Sequence, residues 1–186
     1  YYLRHLARKN NVFNVLVDMT KETRFVISYI MDQIIKNHKS YGSSNFFSNP
    51  QWLKDIKKLS KTVKSGYNPV EVGRVIVNAL NANAPSVLLL HDLHNLKTQI
   101  DLDNFVRVLQ EIIDHSDPGV LIVLSCRMKF YKKFFDTYKS LHERINENMI
   151  ISEMKNDEAS LLIAKRMLEK RMVDNLDPLH PFSKEG

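Results

Sequence analysis

Ser86–Leu96 reads SVLLLHDLHNL, and its first part, Ser86–His91, is a short apolar run closed by Pro85 on one side and Asp92 on the other. An uninterrupted apolar run of this length marks a strand buried on both faces, as in a parallel sheet, because neither side of the pleat has to meet water. A second such run, Val120–Ser125 (VLIVLS), follows the turn residues Asp117, Pro118 and Gly119. Helical period fills the space around both runs. Val72, Val75, Ile76, Ala79 and Leu80 share one face over Pro69–Asn81, and Phe105, Val106, Leu109, Ile112 and Ile113 share one over Leu102–His115. Strands alternating with amphipathic helices predict an α/β fold, a parallel sheet with helices on both faces.

The pattern continues outward. Tyr1–Lys9 is predicted helical on Tyr2, Leu3, Leu6 and Ala7, and Asn10-Asn11 ends it. Val12–Met19 (VFNVLVDM) is a strand with Asp18 near its carboxyl end, and Thr20–Asn37 returns to helix. His38–Pro50 holds Ser, Asn, Gly and Pro together and predicts a surface loop; Trp52–Lys64 is amphipathic, a helix or an irregular insertion. Beyond the second buried run, Phe130–Leu141 is a helix, Met149–Ser152 a fourth short strand and Asn156–Met172 a helix. The turn-rich tail Val173–Gly186 opens a second, helical domain. The expected division is a core over 1–152, with a mobile insertion about 38–68, and a helical unit beginning at 153–186.

Composition narrows the classes. The 186 residues are 44% hydrophobic and 26% charged with only five glycines, which excludes collagenous and wholly disordered chains. No apolar run approaches the ~20 residues of a membrane span, so no membrane partner is expected. A single cysteine, Cys126, forms no internal disulfide, and no Cys/His set has zinc spacing, which points to a reducing compartment, cytoplasmic by default or nuclear in a eukaryote. The chain opens at Tyr1 with helical pattern already under way and reads as a piece of something longer. Net charge is +6. Lys54, Lys57, Lys58, Lys61 and Lys64, and again Lys129, Lys132 and Lys133, fall at helical spacing, either as a nucleic-acid contact or as the wet side of a helix.

Ligands in open α/β sheets bind outside the carboxyl ends of the strands. The two buried runs end in His91-Asp92 and in Ser125-Cys126-Arg127. A carboxylate at such a tip can hold Mg²⁺ or orient a water, and a neighbouring hydroxyl can bond a phosphate. In order and spacing, SVLLLHDLHNL resembles the Walker B strand of the AAA+ ATPases, and GVLIVLSCR (Gly119–Arg127) resembles their sensor 1 strand. LHERI (Leu141–Ile145) with DEASLLIAKRM (Asp157–Met167) is similar to the passage into the lid helices, and YYLRHLARKNNVFNVLVDM to the helix and strand after a Walker A loop. Within that family it resembles the initiator and origin-recognition ATPases and their relatives in the archaeal and signal-transduction ATPase groups.

The resemblance implies a P-loop core with a lid, ATP and Mg²⁺ as cofactors, Asp92 as the metal-side or water-polarising acid, and Ser125 as sensor 1. Arg144 resembles the arginine finger that serves a neighbouring subunit's nucleotide, neutralising charge on the transferred phosphoryl group; its plainer reading is a surface ion pair with Glu143 or Glu147. The chain departs from the family in two respects. No G-x-x-x-x-G-K-[ST] occurs in it, and His91 stands where the first of two acids is usual. The implied function is a nucleotide-dependent switch or ATP hydrolase of the initiator type, coupled to DNA binding and replication or to self-association with other subunits. The alternatives are a scaffold subunit that has lost catalysis and a signal-transduction NTPase acting through protein assembly. A zinc site of His91, Asp92 and His94 lacks a fixed geometry, and Cys126 is expected as a buried, inert thiol.

Overall fold

The apolar run Ser86–His91 is the central strand of the sheet among the described residues. β2 (Ser86–His91) lies between β1 (Phe13–Asp18) and β3 (Val120–Leu124) in a parallel sheet of order β1-β2-β3. The computed structural model describes residues 2–19, 26–40, 50–63, 66–96, 99–151 and 155–168. Phe13 pairs with Ser86 through to Asp18 with His91, and Ser86 pairs with Val120 through to Leu90 with Leu124. Leu88, Leu89 and Leu90 are consecutive, point to alternate faces and are all buried, so both faces of β2 are covered. Each such leucine contributes about 1.5–3 kcal/mol by leaving water.

The helices are α1 (Tyr2–Lys9), α2 (Val26–Ser40), α3 (Gln51–Thr62), α4 (Pro69–Ala82), α5 (Gln99–Asp114), α6 (Met128–Thr137), α7 (Lys139–His142) and α8 (Asn156–Leu168). α1 and α2 pack on β1, α4 on β2, and α4 lies along α5. Local chemistry sets their ends. After α1, Asn11 adopts a left-handed φ of 52°, and the Val12 N–H reaches back to the Ala7 carbonyl at 2.8 Å, a Schellman closure that asparagine tolerates. At the start of α4, Asn68 accepts the Val70 N–H at 3.0 Å while Pro69 occupies the first turn. Gly73 lets α4 meet α5: a Cβ there would stand 2.5 Å from Glu111 Cβ and 3.0 Å from the Val108 carbonyl oxygen. Asn81, near the end of α4, donates to the His115 carbonyl and accepts the Asp117 N–H, both at 3.1 Å, tying the α5–β3 connection to the start of the sheet.

Several expectations change. β3 is not buried on both faces: Leu121 is 54% exposed and the rest of the strand only half-buried. An apolar run records burial on average, and β3 has a strand on one side alone among the described residues. Met149–Ile151 has no regular secondary structure and is exposed, not part of a fourth strand among the described residues, and Ser152 lies outside them. The expected loop from His38 begins later, since α2 runs to Ser40. Within the span expected as an insertion, α3 is a regular helix that buries Leu53 and Ile56 and packs on α2 and α4, so these residues belong to the core. Residues 20–25, 41–49, 64–65 and 169–186, on which other expectations fall, lie outside the described residues.

The chain divides into two units, Tyr1–Ile145 and Asn146–Gly186, seven residues before the expected boundary at 152. In the second unit, α8 starts with the Lys155 N–H donating to Glu158 at 2.9 Å, a first-turn carboxylate capping its own helix. Leu161, Leu162 and Ile163 of α8 are exposed.

Candidate functional site

Leu90 and Leu124 are register partners, so the two chains leave the sheet side by side and carry Asp92 and Ser125 to one rim. The ladder continues past the strands. The Ser125 N–H donates to the Leu90 carbonyl at 2.9 Å, and the Leu93 N–H donates to the Ser125 carbonyl at 3.0 Å. Asp92 then turns the chain in a left-handed conformation, φ 62° and ψ 45°, into a single 3-10 turn at Leu93–Asn95. Only Gly, Asn and Asp adopt this backbone readily. The turn brings the Asp92 N–H to Ser125 Oγ at 3.3 Å.

The side chains form a connected cluster. His91 Nδ1 lies 2.7 Å from Ser125 Oγ, and His91 Nε2 lies 3.5 Å from the Asp92 carboxylate. His94 Nδ1 stands 3.9 Å from the other Asp92 oxygen. With its proton on Nε2, His91 accepts the Ser125 hydroxyl proton and turns its own N–H toward Asp92. The carboxylate therefore sits between two imidazoles, 25% exposed against 46% for His91. Cys126, next along, is half-buried, and burial pushes its thiol pKa up, away from a reactive thiolate.

Asp92 and Ser125 thus meet, as expected; His91, read from sequence as a departure from an acid pair and as a member of a zinc set without fixed geometry, is the residue that joins them. Its role could be found only from register, since His91 and Ser125 are 34 positions apart. Arg144 is elsewhere. Its guanidinium makes a bidentate pair with Asp114, at 2.6 and 3.1 Å, and donates to the Ser140 carbonyl, not to Glu143 or Glu147. This bonding to Asp114 holds the guanidinium pKa up. Asp114 closes α5, which starts beyond the rim end of β2 and returns about 24 Å along its axis to the start of β3. Arg144 is therefore at the end of the sheet opposite Asp92 and Ser125, where it has no access to this rim.

The rim supplies one carboxylate, one hydroxyl and two imidazoles. A hydroxyl, imidazole and carboxylate in contact suggest a nucleophile relay, but the Asp92 N–H is directed at Ser125 Oγ itself rather than left for an oxyanion. No group of three or more His, Cys, Asp or Glu side chains among the described residues is arranged to hold a metal. Mg²⁺ needs less, one or two carboxylates beside phosphate oxygens, and Asp92 fits that limited part. The glycine-rich loop and lysine that would cradle the phosphates are not among this chain's residues. No helix among the described residues is long and apolar enough to cross a membrane. Comparison with family models, curated proteins and solved structures found no match to the chain.

Proposed function

We propose that the protein is a nucleotide-dependent switch of the AAA+ initiator type, taking ATP with magnesium at the carboxyl rim of its sheet and passing the bound state to DNA binding or subunit assembly. One observation carries the reading: Asp92 and Ser125 emerge together where parallel α/β sheets receive ligands. Asp92 supplies the negative charge for the metal, Ser125 a hydroxyl for the terminal phosphate, and Arg144, from the far end, charge for a neighbouring subunit's nucleotide. ATP bound with Mg²⁺ would supply the phosphoryl group to be transferred.

A second reading, a scaffold subunit without catalysis, is favoured by His91. Its ring occupies the Ser125 hydroxyl and the Asp92 carboxylate at once. Both readings are tested by titrating ATP-Mg²⁺ into the full-length protein and its Asp92→Asn variant while following phosphate release. The switch reading expects binding in both and turnover lost in the variant. Binding without turnover in either protein supports the scaffold, and no binding removes nucleotide from the account.

A further inference from the structure

α3 carries Lys54, Lys57, Lys58 and Lys61 at i, i+3, i+4 and i+7, one stripe along the helix, and all four are exposed. None makes an ion pair with a carboxylate among the described residues. The only acid on the helix, Asp55, accepts instead from Gln51 Nε2 at 2.8 Å. Unrelieved like charges three and four residues apart repel one another, and helix stability has no use for them. Their field reaches a neighbour: His38 on α2, edge-on to Trp52 at 4.8 Å, has its pKa lowered by burial and, second, by Lys57.

We propose that this lysine face is a sequence-independent contact surface for the phosphate backbone of duplex DNA. It names the surface for the DNA output of the preceding reading and rests on that output, not on nucleotide at the rim. Lys54 to Lys61 spans about 10 Å of helix, the length over which one DNA strand presents about three phosphates. The opposite face of α3 is committed, with Leu53 and Ile56 buried and the helix packed on α2 and α4. An anionic membrane is the poorer partner because it takes up apolar side chains beside the charges, and those of α3 are turned to the core, Leu53 and Ile56 buried and Trp52 and Leu59 packed against it. Lys129, Lys132 and Lys133 on α6 are a weaker candidate: they are three rather than four, and Asp136 stands four and three residues after Lys132 and Lys133, whereas Asp55 of α3 is engaged by Gln51.

The test is fluorescence anisotropy of the full-length protein with a random-sequence 20-base-pair duplex across a salt series. The comparison protein carries Lys54→Gln, Lys57→Gln, Lys58→Gln and Lys61→Gln together, glutamine being as good a helix former as lysine. The expected result is wild-type binding whose log–log salt dependence becomes shallower by about 3 to 4 in the variant, each lysine accounting for nearly one released counterion. An unchanged melting curve for the variant assigns that loss to contact rather than folding. The proposal is overturned if the wild type does not bind at low salt, or if the variant keeps the wild-type slope. It is equally overturned if Lys129→Gln with Lys132→Gln and Lys133→Gln produces the same loss, or if the four lysines govern binding to phosphatidylserine vesicles and not to the duplex. Failure of ATP to bind, with the lysine-dependent slope intact, counts against the nucleotide rim and leaves this surface standing.

Discussion

His91 Nδ1 and Ser125 Oγ, 2.7 Å apart, join the ends of two neighbouring strands through their side chains. The backbone ladder already fixes the strands, so this bond locks the rim rather than the sheet. Its contribution is separable by a double-mutant cycle: His91→Ala, Ser125→Ala and both together should show a coupling of about 0.5–1.5 kcal/mol, the net worth of one hydrogen bond. Urea unfolding of the four proteins measures it. Strict additivity would mean the two side chains do not hold each other in solution.

Asp92 carries two separate properties, a charge and a left-handed backbone. Asn shares the second without the first, so Asp92→Asn should keep the melting temperature close to wild type while removing the rim's carboxylate. Asp92→Val, β-branched and unsuited to φ 62°, should lose about 1–2 kcal/mol. Equal stability in the two variants would show that the turn relaxes, and that Asp92 has no conformational role.

The elements legible in advance were those whose signal is local. Ser86–His91 declared itself by its own apolar run, and Asn10-Asn11 ended α1 because the left-handed closure needs residues of that kind. Relations between elements were not legible. Nothing in VLIVL says that β3 has one strand neighbour among the described residues rather than two, or that the face carrying Leu121 is left open. Met149–Ile151 has strand-forming residues but no partner strand among those described. The Arg144–Asp114 pair spans 30 positions and overrode the nearer glutamates because only the fold brings α5's end alongside. At the rim, Asp92 and Ser125 followed from strand ends, whereas the His91 bridge required the register.

Gly73 tests the α4–α5 contact. Gly73→Ala improves helix propensity by up to about 1 kcal/mol, but its methyl would meet Glu111 Cβ at 2.5 Å, an atom fixed to the α5 backbone. Overpacking of this kind costs about 1–3 kcal/mol, so the net change should be destabilising, with Gly73→Val worse. A stabilised alanine variant in denaturant titrations would contradict the close approach of the two helices.

The bidentate Arg144–Asp114 pair predicts a shared effect. Arg144→Ala and Asp114→Ala should each lower the melting temperature slightly, and the double variant little further, because the same pair is lost each time. High salt should shrink the effect of an exposed pair. If Arg144 instead serves a neighbouring subunit's nucleotide, Arg144→Ala should suppress turnover in the assembled protein while Asp114→Ala spares it. Suppression by both variants alike would leave Arg144 a purely structural partner.

His38 gives the fold a pH dependence whose sign follows from burial. Its pKa in the folded chain lies below the ordinary 6.5, lowered first by desolvation against α3 and then by Lys57. Below that ordinary value the unfolded chain takes up a proton that the folded chain resists, so stability is complete above it and falls as pH drops toward the folded pKa. Urea midpoints should therefore decline as the pH falls below the ordinary histidine value of 6.5. His38→Gln should remove this part of the decline, and Lys57→Gln should reduce it, by the smaller share, because the ammonium is the lesser cause. A decline that is identical in wild type and His38→Gln would assign the acid sensitivity to other groups and take His38 out of the lysine face's field.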